Sequence, residues 1–209
     1  MNYQLMLDKT IEEINETGAR KRLLLQACCA PCSSYVLEYL SEYFDITLLF
    51  YNPNISPESE YFFRAEELKR LCNELPLTAK TKIIVCDYDN TPFLNMAKGL
   101  ENLPEGGERC FLCYRLRLEE AAKYAKEKNF DYFCTTLSIS PFKDSEKINQ
   151  IGKELSECAN GKPKWLFSDF KKKGGFLRSL ELSKEFSLYR QQYCGCIFSA
   201  ENSSKTHGQ

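Results

Sequence analysis

Apolar and polar positions recur along the chain in a fixed order, a short β-rich apolar run followed by a longer stretch with helical spacing. A helix is expected near residues 3–18, ahead of a first strand at 23–27. A helix then runs from about Cys32, a strand covers 46–51, and after the NPNISP turn a helix spans 58–73, acidic at its start and basic later as the helix dipole favours. Residues 82–86 read as the third strand. Gly106 and Gly107 break the chain before a long helix over 109–128, on which Leu116, Ala121 and Tyr124 lie near helical spacing. A fourth strand covers 132–136, Ser140-Pro141 interrupts the chain, and 143–157 reads as helix, 165–167 as a short fifth strand and 175–189 as a last helix.

Strands alternating with helices predict a mostly parallel sheet, right-handed crossovers and helices on both faces. The expected fold is therefore a doubly wound α/β domain, resembling nucleotide-hydrolase-like Rossmannoid folds. It occupies residues 1–200 as a single unit, followed by a polar tail, 201–209, expected to be disordered. Ligands of such sheets collect at the carboxyl ends of the strands, and Cys28-Cys29 follows the first strand directly.

Composition narrows the function. The 209 residues are 43% hydrophobic with a formal net charge of -1, so any nucleic-acid contact must come from a local basic patch. The N-terminal stretch is polar and acidic and no apolar run approaches the roughly 20 residues of a membrane helix, which points to a cytoplasmic protein with no membrane partner. The only histidine, His207, falls in the tail. Sulfur and carboxylate chemistry remain.

Eleven cysteines are the main anomaly, because a reducing compartment does not use them as a disulfide framework. Seven fall into three tight groups: Cys28, Cys29 and Cys32; Cys110 and Cys113; Cys194 and Cys196. Cys72, Cys86, Cys134 and Cys158 stand singly inside predicted elements and read as small buried thiols. Cys110 and Cys113 open a helix, where free N–H groups and the dipole favour thiolate. Four thiolates serve zinc or iron–sulfur alike. A domain of this size needs no zinc brace, and vicinal cysteines and Cys-Gly-Cys are poor zinc-knuckle spacings, so iron–sulfur is favoured. The surplus beyond four ligands suits a redox disulfide or a second metal, and Cys194 and Cys196 would close a small, easily reduced ring.

Taken together, CCAPCS, YNPNI, GGERCFLCYRLRL, TTLSISPFK and DFKKKGG…SLYRQQYCGC resemble the epoxyqueuosine reductase (QueH) family from Cys28 to Cys196. The resemblance implies a cobalamin-independent oxidoreductase that reduces epoxyqueuosine to queuosine at the wobble position of tRNA with a GUN anticodon, using a [4Fe–4S] cluster and an external electron donor. It places cluster ligands on Cys28, Cys29, Cys110 and Cys113, and makes Cys194 and Cys196 a redox pair or ligands of an additional mononuclear iron. Cys32 stands where it completes the cluster or the second site.

For protons, the candidates are Asp87 and Asp89 after the third strand, with Tyr51 or Tyr193 as phenolic alternatives; acidic residues after a strand also serve as turn formers or caps. For RNA, Lys171, Lys172 and Lys173, with Arg178 and Arg190 beyond, are interleaved with Tyr189 and Tyr193. Two other readings compete. An iron–sulfur tRNA thiolation enzyme of the ATP-pyrophosphatase kind needs a glycine-rich phosphate loop, yet the first strand leads into ACCAPCSS. A zinc-stabilised RNA-binding module would differ in its metal content.

Overall fold

The computed structural model describes residues 1–78, 81–191 and 193–200. Within them, β1 (Lys21–Gln26), β2 (Phe44–Phe50), β3 (Lys82–Val85), β4 (Tyr132–Thr135) and β5 (Lys164–Trp165) form one all-parallel sheet in the order β3-β2-β1-β4-β5. Leu23, Leu24 and Leu25 are consecutive and fully buried, because β1 is central and covered on both faces; that is why its sequence is a continuous apolar run. Leu23 lies opposite both Ile46 and Tyr132, and Gln26 opposite Leu49 and Thr135. The edge strand β3 is only half-buried.

The strands are connected and flanked by the helices α1 (Tyr3–Thr17), α2 (Ala30–Leu40), α3 (Glu58–Glu74), α4 (Thr91–Ala97), α5 (Glu108–Glu127), α6 (Ser145–Cys158) and α7 (Gly175–Glu185), and residues 197–200 are helical as well. α2 packs against α3 and α7, and α5 against α4 and α6. Right-handed crossovers put these two groups on opposite faces once the strand order reverses. The reversal falls between β1 and β4, so the topological switch point opens where β1 ends in Ala27-Cys28-Cys29.

Four details depart from the sequence expectation. α2 begins at Ala30, with Cys29 as N-cap and Pro31 in its first turn, so Cys32 lies inside the helix. α4 was not anticipated. β5 is two residues long, and α7 stops at Glu185, just before Ser187 takes a left-handed backbone (φ 49°) that no helix continues through. The tail 201–209, with His207, lies outside the described residues, and among the described residues no helix is long and apolar enough to cross a membrane.

Candidate functional site

The first cysteine group is set by the end of β1 and the start of α2. The ligand atoms of Cys28, Cys29 and Cys32 all lie within 4.8 Å of one another, an arrangement that could hold a metal ion. Cys28 is fixed from the turn that follows the neighbouring strand β4: its N–H donates to Thr136 Oγ1 (3.2 Å), whose hydroxyl donates to Cys28 Sγ (3.4 Å). Cys28 and Cys29 sulfurs are 3.8 Å apart, and Gln191 Nε2 donates to Cys29 Sγ at 3.0 Å. The three thiols share one charge. Hydrogen bonds from Cys29 and Cys32, with the Arg117 guanidinium and Thr136, hold Cys28 well below the usual thiol range. The same sharing pushes Cys29 up to about 12 and Cys32 upward as well.

The second group is assembled from two distant segments. Cys110 and Cys113 occupy the first two turns of α5, and with Cys194 and Cys196 they line a small, partly open cavity of about 10 Å³ beside Tyr114 and Arg117. Gly106 N–H donates to Cys110 Sγ (3.3 Å), and Lys143 Nζ donates to Cys194 Sγ (3.2 Å). Burial pushes Cys113 up to about 12 and Cys196 up to about 11, so a metal that took these thiols would displace protons. Gly195 gives the turn its shape. Its φ of +109° strains any side chain, and a Cβ there would press on Arg64 Nη1 (2.9 Å) and Ile55 Cγ1 (3.0 Å). Ser56 N–H donates to Gly195 O (2.9 Å), which ties the Cys-Gly-Cys turn to the loop after β2.

Buried cations surround the sulfurs. Arg64, Arg109 and Arg117 are each no more than 2% exposed. Arg64 pairs with Glu60 (2.7 Å) and donates to Cys194 O (3.3 Å), leaving Nη2 without a partner. Arg117 donates to Asn52 Oδ1 (2.6 Å), its Nε is unpartnered, and it makes no ion pair with a carboxylate among the described residues. A buried guanidinium with spare N–H groups is costly unless an anion meets it. Thiolates and an anionic metal cluster supply that charge, so the residues present fit an anionic cofactor.

Beside the sulfurs opens a cleft of about 330 Å³ lined by Cys28, Cys32 and Cys194, by Arg64, Arg117, Lys143 and Arg190, and by Tyr193 and Phe142. The Lys143 amine is nearly buried (9% exposed) and stays protonated: desolvation disfavours the charge, but Cys194, Tyr114 and Glu105 outweigh it and push its pKa up. A larger concavity, about 910 Å³, lies at the opposite, amino-terminal edge of the sheet. It contains no cysteine, and its Arg20 and Arg22 are occupied with main-chain carbonyls after α2 and α5, a helix-end role. The sulfur-lined cleft is therefore the candidate site.

The other sequence candidates separate under this geometry. Asp87 and Asp89 are exposed and line neither sulfur cavity; Asp89 accepts from Thr91 N–H (2.9 Å) at the start of α4, a turn-forming role. Tyr193 lines the cleft, donates to Ser56 O (3.2 Å) and lies under the Arg64 guanidinium (5.3 Å), whereas Tyr51 lines neither sulfur cavity. Among the basic residues, Lys171 braces the 138–143 loop through Ser138 O and Lys143 O, Lys173 pairs with Asp8, and Arg178 with Glu38. Lys172 is exposed, and Arg190 reaches the cleft. Of the single cysteines, Cys72 and Cys134 are buried as expected, Cys86 is half-buried, and Cys158, at the end of α6, is exposed. The buried arginines and Lys143 were not singled out from sequence, although Arg117, Thr136 and Lys143 all stand inside the motifs that carried the resemblance.

Comparison with known proteins finds a family and several relatives. A family model described as epoxyqueuosine reductase QueH matches residues 23–202. A Staphylococcus epidermidis protein of that name is 43% identical over 204 residues, 96% of this chain and 85% of the relative. One from Streptococcus pyogenes is 40% identical over 96% of this chain and 79% of the relative. One from Thermotoga maritima is 34% identical over 90% of this chain and 94% of the relative.

Proposed function

The chain belongs to the epoxyqueuosine reductase QueH family, and from that premise we propose that it reduces the epoxide of epoxyqueuosine in tRNA to give queuosine. In the reaction both carbon–oxygen bonds of the epoxide break, a carbon–carbon double bond forms, and the oxygen leaves as water after taking up two electrons and two protons. The tRNA carries a GUN anticodon with the modified nucleoside at the wobble position, and the electrons come from an external donor. The single observation that carries this reading is the convergence of all seven motif cysteines, from segments up to 168 positions apart in sequence, beside one cleft at the switch point of the sheet.

A [4Fe–4S] cluster is the cofactor this thiol set suits; the resemblance would put it on Cys28, Cys29, Cys110 and Cys113, a set that draws on both sulfur groups, with Cys32 completing the cluster or a second site and Cys194 and Cys196, which share a cavity with Cys110 and Cys113, acting as a redox pair or holding an additional mononuclear iron. Such a centre supplies electrons, and an added iron supplies Lewis acidity toward the epoxide oxygen. The protein's own groups do the rest. Arg64 and Arg117 would meet the negative charge of the centre, and Arg190 at the cleft and exposed Lys172 offer phosphate contacts, with Lys171, Lys173 and Arg178, each already engaged within the protein, as further basic candidates. Of the side chains able to hand a proton to the leaving oxygen, Tyr193 and Lys143 line the cleft while Asp87 and Asp89 stand outside it.

Anaerobic purification followed by iron and acid-labile sulfide analysis tests the reading. About four irons and four sulfides per chain are expected, with one further iron if the second site fills. Cys110→Ser and Cys113→Ser should lose the cluster, and Cys72→Ser, a buried thiol outside the site, should keep it. Stoichiometric zinc without labile sulfide would overturn the cofactor assignment.

A further inference from the structure

Phe142 is the most exposed large aromatic side chain among the described residues, at 77%. A single exposed apolar side chain on a surface ordinarily means nothing. Two observations set this one apart. The first is its position at the cleft, which it lines together with Arg64, Arg117, Lys143 and Arg190, four cations against the one lining carboxylate, Glu105. The second is the rigidity of the loop that presents it. Phe142 N–H donates to Ser140 Oγ (3.3 Å), Lys143 N–H to Ser140 O (3.2 Å), and Lys171 Nζ to Ser138 O (3.2 Å) and Lys143 O (3.4 Å). Asp144 then caps α6 by accepting from Lys147 N–H (2.9 Å). The ring stacks on no other ring among the described residues, so a braced loop holds an uncovered aromatic face at the edge of a cationic cleft.

Single-stranded nucleic acid is the ligand class that matches an aromatic platform among cations, since every base offers a face for stacking and every phosphate a negative charge. The cleft volume of about 330 Å³ sits at the small end of ligand pockets and leaves no room for more than one nucleoside. The nucleotides on either side must then lie at its mouth. Given the reading of the chain as an epoxyqueuosine reductase, we infer that Phe142 is a positioning residue on which the base next to the modified nucleotide stacks, so that the enzyme grips the anticodon loop and not the modified nucleoside alone.

The test uses the cluster-loaded enzyme and an anticodon stem-loop carrying epoxyqueuosine, with Phe142→Ala and Phe142→Trp. Because the side chain is exposed, both variants should fold and keep their iron. Phe142→Ala should raise KM for the stem-loop, and weaken its binding by fluorescence anisotropy, about tenfold, with kcat unchanged, and Phe142→Trp should restore both. The constant with which the free nucleoside competes should be the same for all three proteins. Unchanged KM and affinity in Phe142→Ala would overturn the inference, as would an equal weakening toward the free nucleoside. A wild-type enzyme that binds the stem-loop in a Phe142-dependent way yet never reduces it would instead overturn the functional reading and leave the stacking role standing.

Discussion

At the level of single residues, Arg117 makes the sharpest statement about what the site is built to hold. Its guanidinium is buried beside Cys28 and Cys113, hydrogen-bonds an amide oxygen and meets no carboxylate among the described residues. Without an anionic centre such a group is a liability. Arg117→Met should therefore raise the urea stability of the metal-free protein, by about 1–3 kcal/mol, because it removes a buried, incompletely hydrogen-bonded charge. The same change should lower the iron retained per chain after anaerobic reconstitution. A variant that loses stability when metal-free and keeps its iron would show that Arg117 serves packing alone. The cysteines were legible from sequence because thiols in tight groups have few other uses in this setting. Arg117 and Lys143 were not, since a sequence does not show which of 28 lysines and arginines are buried. Burial also failed for Cys158, which ends α6 on its exposed side.

At the level of elements, the Cys-Gly-Cys turn depends on how the segment after α7 is anchored to α3. Arg70 on α3 donates to Phe186 O (3.0 Å) and Ser187 O (3.3 Å), and Glu67 pairs with Arg70 (3.0 Å) and accepts from Tyr189 N–H (3.1 Å). The Arg70 hydrogen bond, aided by the Tyr189 N–H, holds the Glu67 carboxyl below its usual range. A depressed folded-state pKa contributes stability that is complete above the unfolded value, about 4.3, and is lost as pH falls through the folded one. Hydrogen-exchange protection of residues 186–191 should accordingly fall in acid below that point. In Glu67→Gln the protection should be lower at neutral pH and the acid step should vanish; an identical acid step in the variant would show that another group carries it. Strands and long helices were legible because their apolar period is strong. α4 was missed because seven residues starting with Thr91-Pro92 look like a turn, and β5 was overestimated because Trp165 is buried by contact with Gly152 on α6 as much as by strand pairing.

At the level of the whole molecule, one topological fact explains why such distant cysteines meet. The strand order reverses between β1 and β4, which leaves a crevice at their carboxyl ends, and Cys28, Thr136 and the braced 138–143 loop all issue from that edge. α5 brings Cys110 and Cys113 to it by their position in its first two turns, and the chain after α7 returns with Cys194 and Cys196. The alternation of elements made the doubly wound sheet legible in advance; the partition of the seven thiols into one group of three and one of four was not, because spacing along the chain does not reveal which segments share a cavity. The central claim is that this crevice deoxygenates epoxyqueuosine in tRNA. Its most direct test is mass spectrometry of nucleosides from tRNA bearing epoxyqueuosine, digested after anaerobic incubation with the reduced, iron-loaded enzyme. Queuosine, lighter by one oxygen atom, should replace epoxyqueuosine, and unconverted epoxyqueuosine in the presence of fully loaded, reduced enzyme would contradict the account.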